Sequence, residues 1–70
     1  MVANKLNFRG APSAVWFNRG CAYAKMGNKV EALKNLAEAI RLDAEHKEMA
    51  KKDDDFKSLW DDEDFKKLVS

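Results

Sequence analysis

Apolar residues recur at three- and four-residue intervals along the first part of the chain. In the first such stretch these positions are Val15, Trp16, Gly20, Tyr23 and Ala24. This spacing places them on one face of a helix. Pro12 precedes the stretch, and proline is favoured in a first helical turn because its missing N–H would have no partner there. The pattern therefore predicts a helix from Pro12 to the turn at residues 26–28.

A second periodic stretch runs from Lys29 to Leu42 and follows a tight turn. Its apolar side holds Val30, Leu33, Leu36, Ala37 and Ile40, whereas Glu31, Lys34, Asn35, Glu38 and Arg41 are expected to face solvent. Gly27 adopts a left-handed conformation at no steric cost and is expected to stop the first helix. Asn28 is expected to cap the second helix, with Glu31 completing a loose capping box. Two helices joined this closely are predicted to form an antiparallel hairpin.

Acidic residues dominate the last third of the chain, after a predicted third helix from Ala44 to Lys52 on which His46 is expected to be exposed. The apolar residues Phe56, Leu59, Phe65 and Leu68 are threaded between the acids. Asp53 or Asp54 is expected to cap one short helix and Asp61 another, because an acid there accepts free N–H groups and opposes the helix dipole. The rival interpretation is a calcium or magnesium site, but residues 53–64 lack the glycine of a usual calcium loop. Capping is the preferred interpretation.

Size and composition narrow the possible roles. The chain has 70 residues, one cysteine (Cys21) and one histidine (His46), so neither an internal disulfide nor a Cys/His zinc site can form. Residues 1–30 carry five bases and no acid, too few charges for strong phosphate binding. We find neither a signal-peptide pattern nor an apolar run long enough to span a membrane, which favours a cytoplasmic protein. The absence of any nucleophile motif or phosphate loop argues against an enzyme.

Eight positions together resemble a known repeat signature. They are Trp16, Gly20, Tyr23, Gly27, Ala32, Leu36, Ala39 and Leu42. In this register they are similar to the tetratricopeptide repeat, a helix–turn–helix unit of about 34 residues. Arg19 departs from the family pattern, which has an apolar residue there. Ala44 replaces a closing proline, which predicts a softer break after the second helix. The tail AKKDDDFKSLWDDEDFKKL, residues 50–68, is similar to the segment that closes short bacterial tetratricopeptide arrays.

The resemblance implies an all-α fold and a division of the chain into three parts. These are a flexible lead-in at 1–11, a single tetratricopeptide-like hairpin at 12–43 and capping helices at 44–70. In the cap, Phe56, Leu59, Phe65 and Leu68 are expected to cover the end of the core, with Trp60 beside them.

The resemblance also implies a function. It suggests a non-catalytic module without cofactor or metal, which binds a peptide or helix of a protein partner through the face of its first helix. The candidate groove residues are Ser13, Phe17, Asn18, Cys21, Ala24 and Lys25. Three alternatives remain open: the end-piece of a longer array, a self-associating subunit, and an acidic cation site at 53–64. No nucleic-acid or membrane partner is expected, and the identity of the protein partner stays open.

Overall fold

The computed structural model describes residues 11–70, which form a helical hairpin followed by three short helical segments. Helix α1 spans Ser13–Lys25 and α2 spans Lys29–Leu42. Helix α3 (His46–Lys52), a 3-10 helix (Asp54–Leu59) and α4 (Glu63–Val69) follow. Within residues 11–70 there is no strand, and the predicted all-α fold is confirmed. The predicted lead-in, except for Ala11, lies outside the described residues.

The turn between α1 and α2 is built from the residues that the sequence singled out. Gly27 has a φ of 81°, the left-handed conformation that ends a helix. The N–H of Asn28 donates to the Tyr23 carbonyl at 2.9 Å, and that of Gly27 to the Ala24 carbonyl at 3.0 Å. The Asn28 side chain accepts from the Glu31 N–H at 3.2 Å. The stop and the cap are confirmed, but the box is half formed because the Asn28 N–H is already used by Tyr23.

Helices α1 and α2 lie in close contact at Gly20. A Cβ atom added there would lie 3.2 Å from the Ala32 carbonyl oxygen and 3.3 Å from the Leu36 nitrogen. Ala32, Leu36 and Ala39 are completely buried. The small residues of the repeat pattern therefore permit a backbone-to-backbone contact that a larger side chain would prevent.

Asn35 was expected to face solvent, and this prediction is wrong. The residue is buried, its Nδ2 donates to the Glu31 carbonyl at 2.8 Å, and its Oδ1 accepts from Arg19 Nε at 3.1 Å. Arg19 occupies a position that is apolar in the family pattern, and its guanidinium needs an acceptor when it is partly buried. Asn35 supplies that acceptor, so the two departures from simple patterning accommodate each other.

The break after α2 is complete, contrary to the soft transition expected from Ala44. Asp43 is extended, with φ −155° and ψ 107°, and its Oδ1 accepts from the Glu45 N–H at 3.0 Å. This local hydrogen bond competes with continuation of the helix. It therefore ends α2 at the place where a proline normally closes the repeat. Helix α3 accordingly begins at His46 instead of Ala44.

The C-terminal segments fold back over the hairpin and are capped by two acids. The Asp53 side chain accepts from the Asp55 N–H at 2.9 Å and starts the 3-10 helix. Asp62 accepts from the Phe65 N–H at 3.1 Å and starts α4. The prediction of Asp61 as that cap is wrong by one residue. Lys29 ties the start of α4 to α2 through ion pairs with Asp62 at 2.8 Å and Asp64 at 3.0 Å.

Candidate partner-binding surface

The six residues proposed as a groove lie along α1 but differ in accessibility. Phe17, Cys21 and Ala24 are buried, Ser13 is half-buried, and Asn18 and Lys25 are exposed. The buried residues belong to the same core as Phe56, Leu59 and Phe65 of the C-terminal segments. The face of α1 that was expected to receive a partner is thus covered in large part by the chain's own C-terminal half.

Aromatic rings of the C-terminal half cover Phe17 of α1. The Phe17 ring stacks on the His46 ring, with centroids 4.8 Å apart and an interplanar angle of 24°. Phe56 meets Phe17 at 5.5 Å and Phe65 at 5.8 Å, within the range of favourable aromatic contacts. Phe56 belongs to the 3-10 helix and is completely buried. Through these ring contacts it joins the 3-10 helix to both α1 and α4.

His46 was expected to be exposed, and this prediction is wrong. It is 5% exposed, and its Nε2 lies 2.9 Å from the Ser13 hydroxyl oxygen. Within residues 11–70 its Nδ1 is buried without a hydrogen-bond partner. In the sequence, His46 stands four residues before the apolar Ala50, on the same helix face, and the structure buries both residues.

Cys21 lies under the start of the 3-10 helix. Its thiol donates to Asp53 Oδ2 at 3.8 Å. Burial, followed by the negative charges of Asp53 and Asp55, raises the pKa of Cys21 to about 12. The thiol is therefore protonated at neutral pH, and a protonated thiol is a poor nucleophile.

The same three side chains are the closest approach to a metal-binding group in the described part of the chain. One donor atom each from Cys21, Asp53 and Asp55 lies within 4.8 Å of the others. The two Asp53 oxygens, however, accept from the Cys21 thiol and from the Asp55 N–H. Calcium takes about six to eight oxygen ligands, and this group offers only part of such a shell. The hydrogen bond that Asp53 accepts from the Asp55 N–H is that of a helix cap.

The exposed end of α1 borders an open depression of about 490 Å³. It is lined by Ala24, Lys25, Asp54, Asp55, Lys57 and Ser58. Lys25 Nζ lies 3.8 Å from Asp55 Oδ1, and its side chain is 67% exposed. A pair this long and this exposed contributes little stability, so both side chains can change partners at low cost.

Comparison with known proteins assigns the hairpin to a family. Residues 13–46 match the tetratricopeptide repeat, and the fold and close packing described above are those of such a unit. This match and the helical fold together support a tetratricopeptide-like repeat protein. Comparison with the curated proteins and with the solved structures gives no significant match.

The family assignment supports a general role in protein–protein interaction, and the family is generally non-catalytic. Among residues 11–70, no helix combines the length and apolar character needed to cross a bilayer.

Proposed function

We propose that the chain is a non-catalytic module that binds a peptide or helix of a protein partner. The binding surface consists of the exposed residues Asn18 and Lys25 of α1 and the depression that Lys25 lines. The observation that carries the proposal is the position of Asn18 and Lys25. They are the two groove candidates on α1 that remain exposed, and Lys25 lines the depression.

The chemistry of this surface suits a polar, extended ligand. Asn18 has both a donor and an acceptor to offer a peptide backbone. Lys25 exchanges its weak pair with Asp55 for a ligand carboxylate, while Asp54, Asp55 and Lys57 supply charges of both signs along the floor. Phe17 contributes by holding the C-terminal half in place, since it is buried between His46 and Phe56.

A selection from a random peptide library displayed on phage tests this proposal. Peptides enriched on the 70-residue chain are expected to lose binding when Lys25→Glu or Asn18→Ala is introduced. Lys34→Glu is the matched control, because Lys34 is exposed on α2 and pairs only weakly with Glu31, at 3.6 Å. Enriched peptides that bind the Lys25 and Asn18 variants as tightly as the parent chain would refute the proposed surface.

A self-associating subunit is the second candidate, and exposed apolar residues favour it. Met26 is 69% exposed and Val30 67% exposed, at the turn between α1 and α2. A second copy covering them would remove this surface from water. Light scattering over a hundredfold range of protein concentration tests the idea: a mass that stays monomeric throughout would eliminate it, and a dimer that dissociates on dilution would support it.

A further inference from the structure

A second concave site lies among the C-terminal segments, between α3, Trp60 and α4. This C-terminal cleft has a volume of about 470 Å³ and is lined by Lys51, Trp60, Phe65, Lys66, Val69 and Ser70. The volume is in the range of clefts that hold a few side chains of a ligand. Neither the repeat pattern nor the proposed α1 surface includes these residues.

The apolar wall of the cleft is held by contacts with the rest of the fold. Trp60 Nε1 donates to the Ala50 carbonyl at 3.1 Å, which fixes the indole against the end of α3. Phe65 and Val69 are buried beneath it. Phe65 is also locked against Phe56, with ring centroids 5.8 Å apart. A wall that is ordered before binding loses little conformational entropy when a ligand arrives.

Two cations border the wall. Lys51 pairs with Glu48 at 3.1 Å and Lys66 with Glu63 at 3.7 Å, and both glutamates are exposed, at 66% and 81%. Each pair joins residues three apart on one helix, a type that contributes only tenths of a kcal/mol. Both ammonium groups are therefore available to an anionic ligand that offers a better-placed carboxylate.

We propose that the C-terminal cleft binds an acidic peptide segment through one hydrophobic side chain. The hydrophobic side chain lies against Trp60, and flanking carboxylates pair with Lys51 and Lys66. This inference rests on the proposed function, since it assumes a protein partner, and it names the chemistry of a second contact with that partner. A peptide is favoured because a cleft lined by an apolar wall and two lysines matches an apolar residue that has acids beside it.

Nuclear magnetic resonance of the ¹⁵N-labelled 70-residue chain tests the proposal directly. The chain has two tryptophans, Trp16 and Trp60, so its two indole N–H signals give a reporter in the cleft and a reference outside it. The probe is a capped peptide with one phenylalanine between two pairs of aspartates. It is expected to shift the Trp60 signal in a saturable way and to leave the Trp16 signal in place. Two control peptides, one with alanine for phenylalanine and one with asparagines for the aspartates, are expected to bind at least about tenfold more weakly.

A matched pair of double variants separates this site from general charge attraction. Lys51→Gln with Lys66→Gln is expected to weaken binding about tenfold. Lys52→Gln with Lys67→Gln makes the same change of charge in the same last helical turns, outside the cleft, and is expected to bind like the parent chain. Equal weakening by both double variants, or a shift of both indole signals, would overturn the proposal.

Other outcomes are equally informative. A Trp60 shift that appears on concentrating the protein without peptide would assign the cleft to a second copy and refute the peptide. If the probe leaves Trp60 unmoved while library-selected peptides still depend on Lys25, the cleft proposal fails and the proposed function stands. If the probe moves Trp60 and no peptide depends on Lys25, the cleft stands and the α1 surface fails.

Discussion

Replacing Gly20 by leucine tests the close approach on which the hairpin depends. The nearest atoms to an added Cβ are the Ala32 carbonyl oxygen at 3.2 Å, the Leu36 nitrogen at 3.3 Å and Phe56 Cζ at 3.4 Å. These distances are shorter than nearly all contacts that a real Cβ atom makes. Even a methyl group must therefore displace α2 by a few tenths of an ångström, and two of the three neighbours are backbone atoms that cannot rotate away.

The expected magnitudes differ between alanine and leucine. Alanine improves helix propensity over glycine by about 1 kcal/mol, which offsets much of the strain, so Gly20→Ala is expected to change stability little. Leucine adds further carbons between two helix backbones, and overpacking of this kind costs typically about 1–3 kcal/mol. Because a core of this size supplies only about 3–5 kcal/mol, Gly20→Leu is expected to remove a large part of the stability of the fold.

Urea denaturation followed by far-ultraviolet circular dichroism measures the effect. For a small domain with an m-value of about 1 kcal/mol per molar urea, a loss of about 3 kcal/mol moves the midpoint by about 3 M. Ala22→Leu is the matched control, because Ala22 is exposed on the same helix, and its effect is expected within about 0.5 kcal/mol. A Gly20→Leu variant with the helicity and midpoint of the parent chain would refute the close-approach argument.

Three further predictions follow from the C-terminal half. Phe56→Ala removes a completely buried ring and is expected to cost about 3–5 kcal/mol; loss of cooperative urea unfolding would show it, and a parent-like midpoint would contradict the packing. Asp62→Ala is expected to fray α4 and lower the melting temperature, whereas Asp61→Ala leaves both unchanged, because only Asp62 accepts from the Phe65 N–H; the reverse order would restore the sequence prediction. The Lys29 hydrogen bond lowers the pKa of Asp62, and the Asp62 hydrogen bond raises that of Lys29. Their pairing therefore stabilises the fold between about pH 4 and pH 10. It is lost as pH falls through the folded pKa of Asp62 or rises through that of Lys29, so Lys29→Gln is expected to flatten the fall in melting temperature on acidification, and an unchanged pH profile would contradict the pairing.

Local signals in the sequence were sufficient for the hairpin. Gly27 and Asn28 act on their own turn, and the small size of Gly20 indicates a close contact whatever the partner is. These features depend on neighbours in the chain, so periodicity and turn chemistry reveal them. The register of the last cap was harder, because Asp61 and Asp62 are equivalent as residue types. Only the extended backbone of Asp62 (φ −75°, ψ 134°) makes it the cap.

Contacts between distant segments could not be read from the chain. The hydrogen bond from Arg19 to Asn35 joins α1 to α2, so it forms only when the two helices have come together. His46 is buried because α3 returns to α1, where Ser13 and Phe17 meet its ring. The sequence indicated an apolar C-terminal cap and an apolar face on α1. In the structure these two surfaces pack against each other in one core.

The reactivity of Cys21 tests most directly whether the C-terminal half covers α1. The chain has a single cysteine, so alkylation by iodoacetamide reports on this one position. Because Cys21 is buried and its pKa is raised to about 12, the folded chain is expected to react at least about a hundredfold more slowly than the chain unfolded in urea. The slow rate is also expected to be independent of protein concentration, which excludes protection by a second copy. A folded chain that is alkylated as fast as the unfolded one would show that the α1 face is open, and would contradict the account.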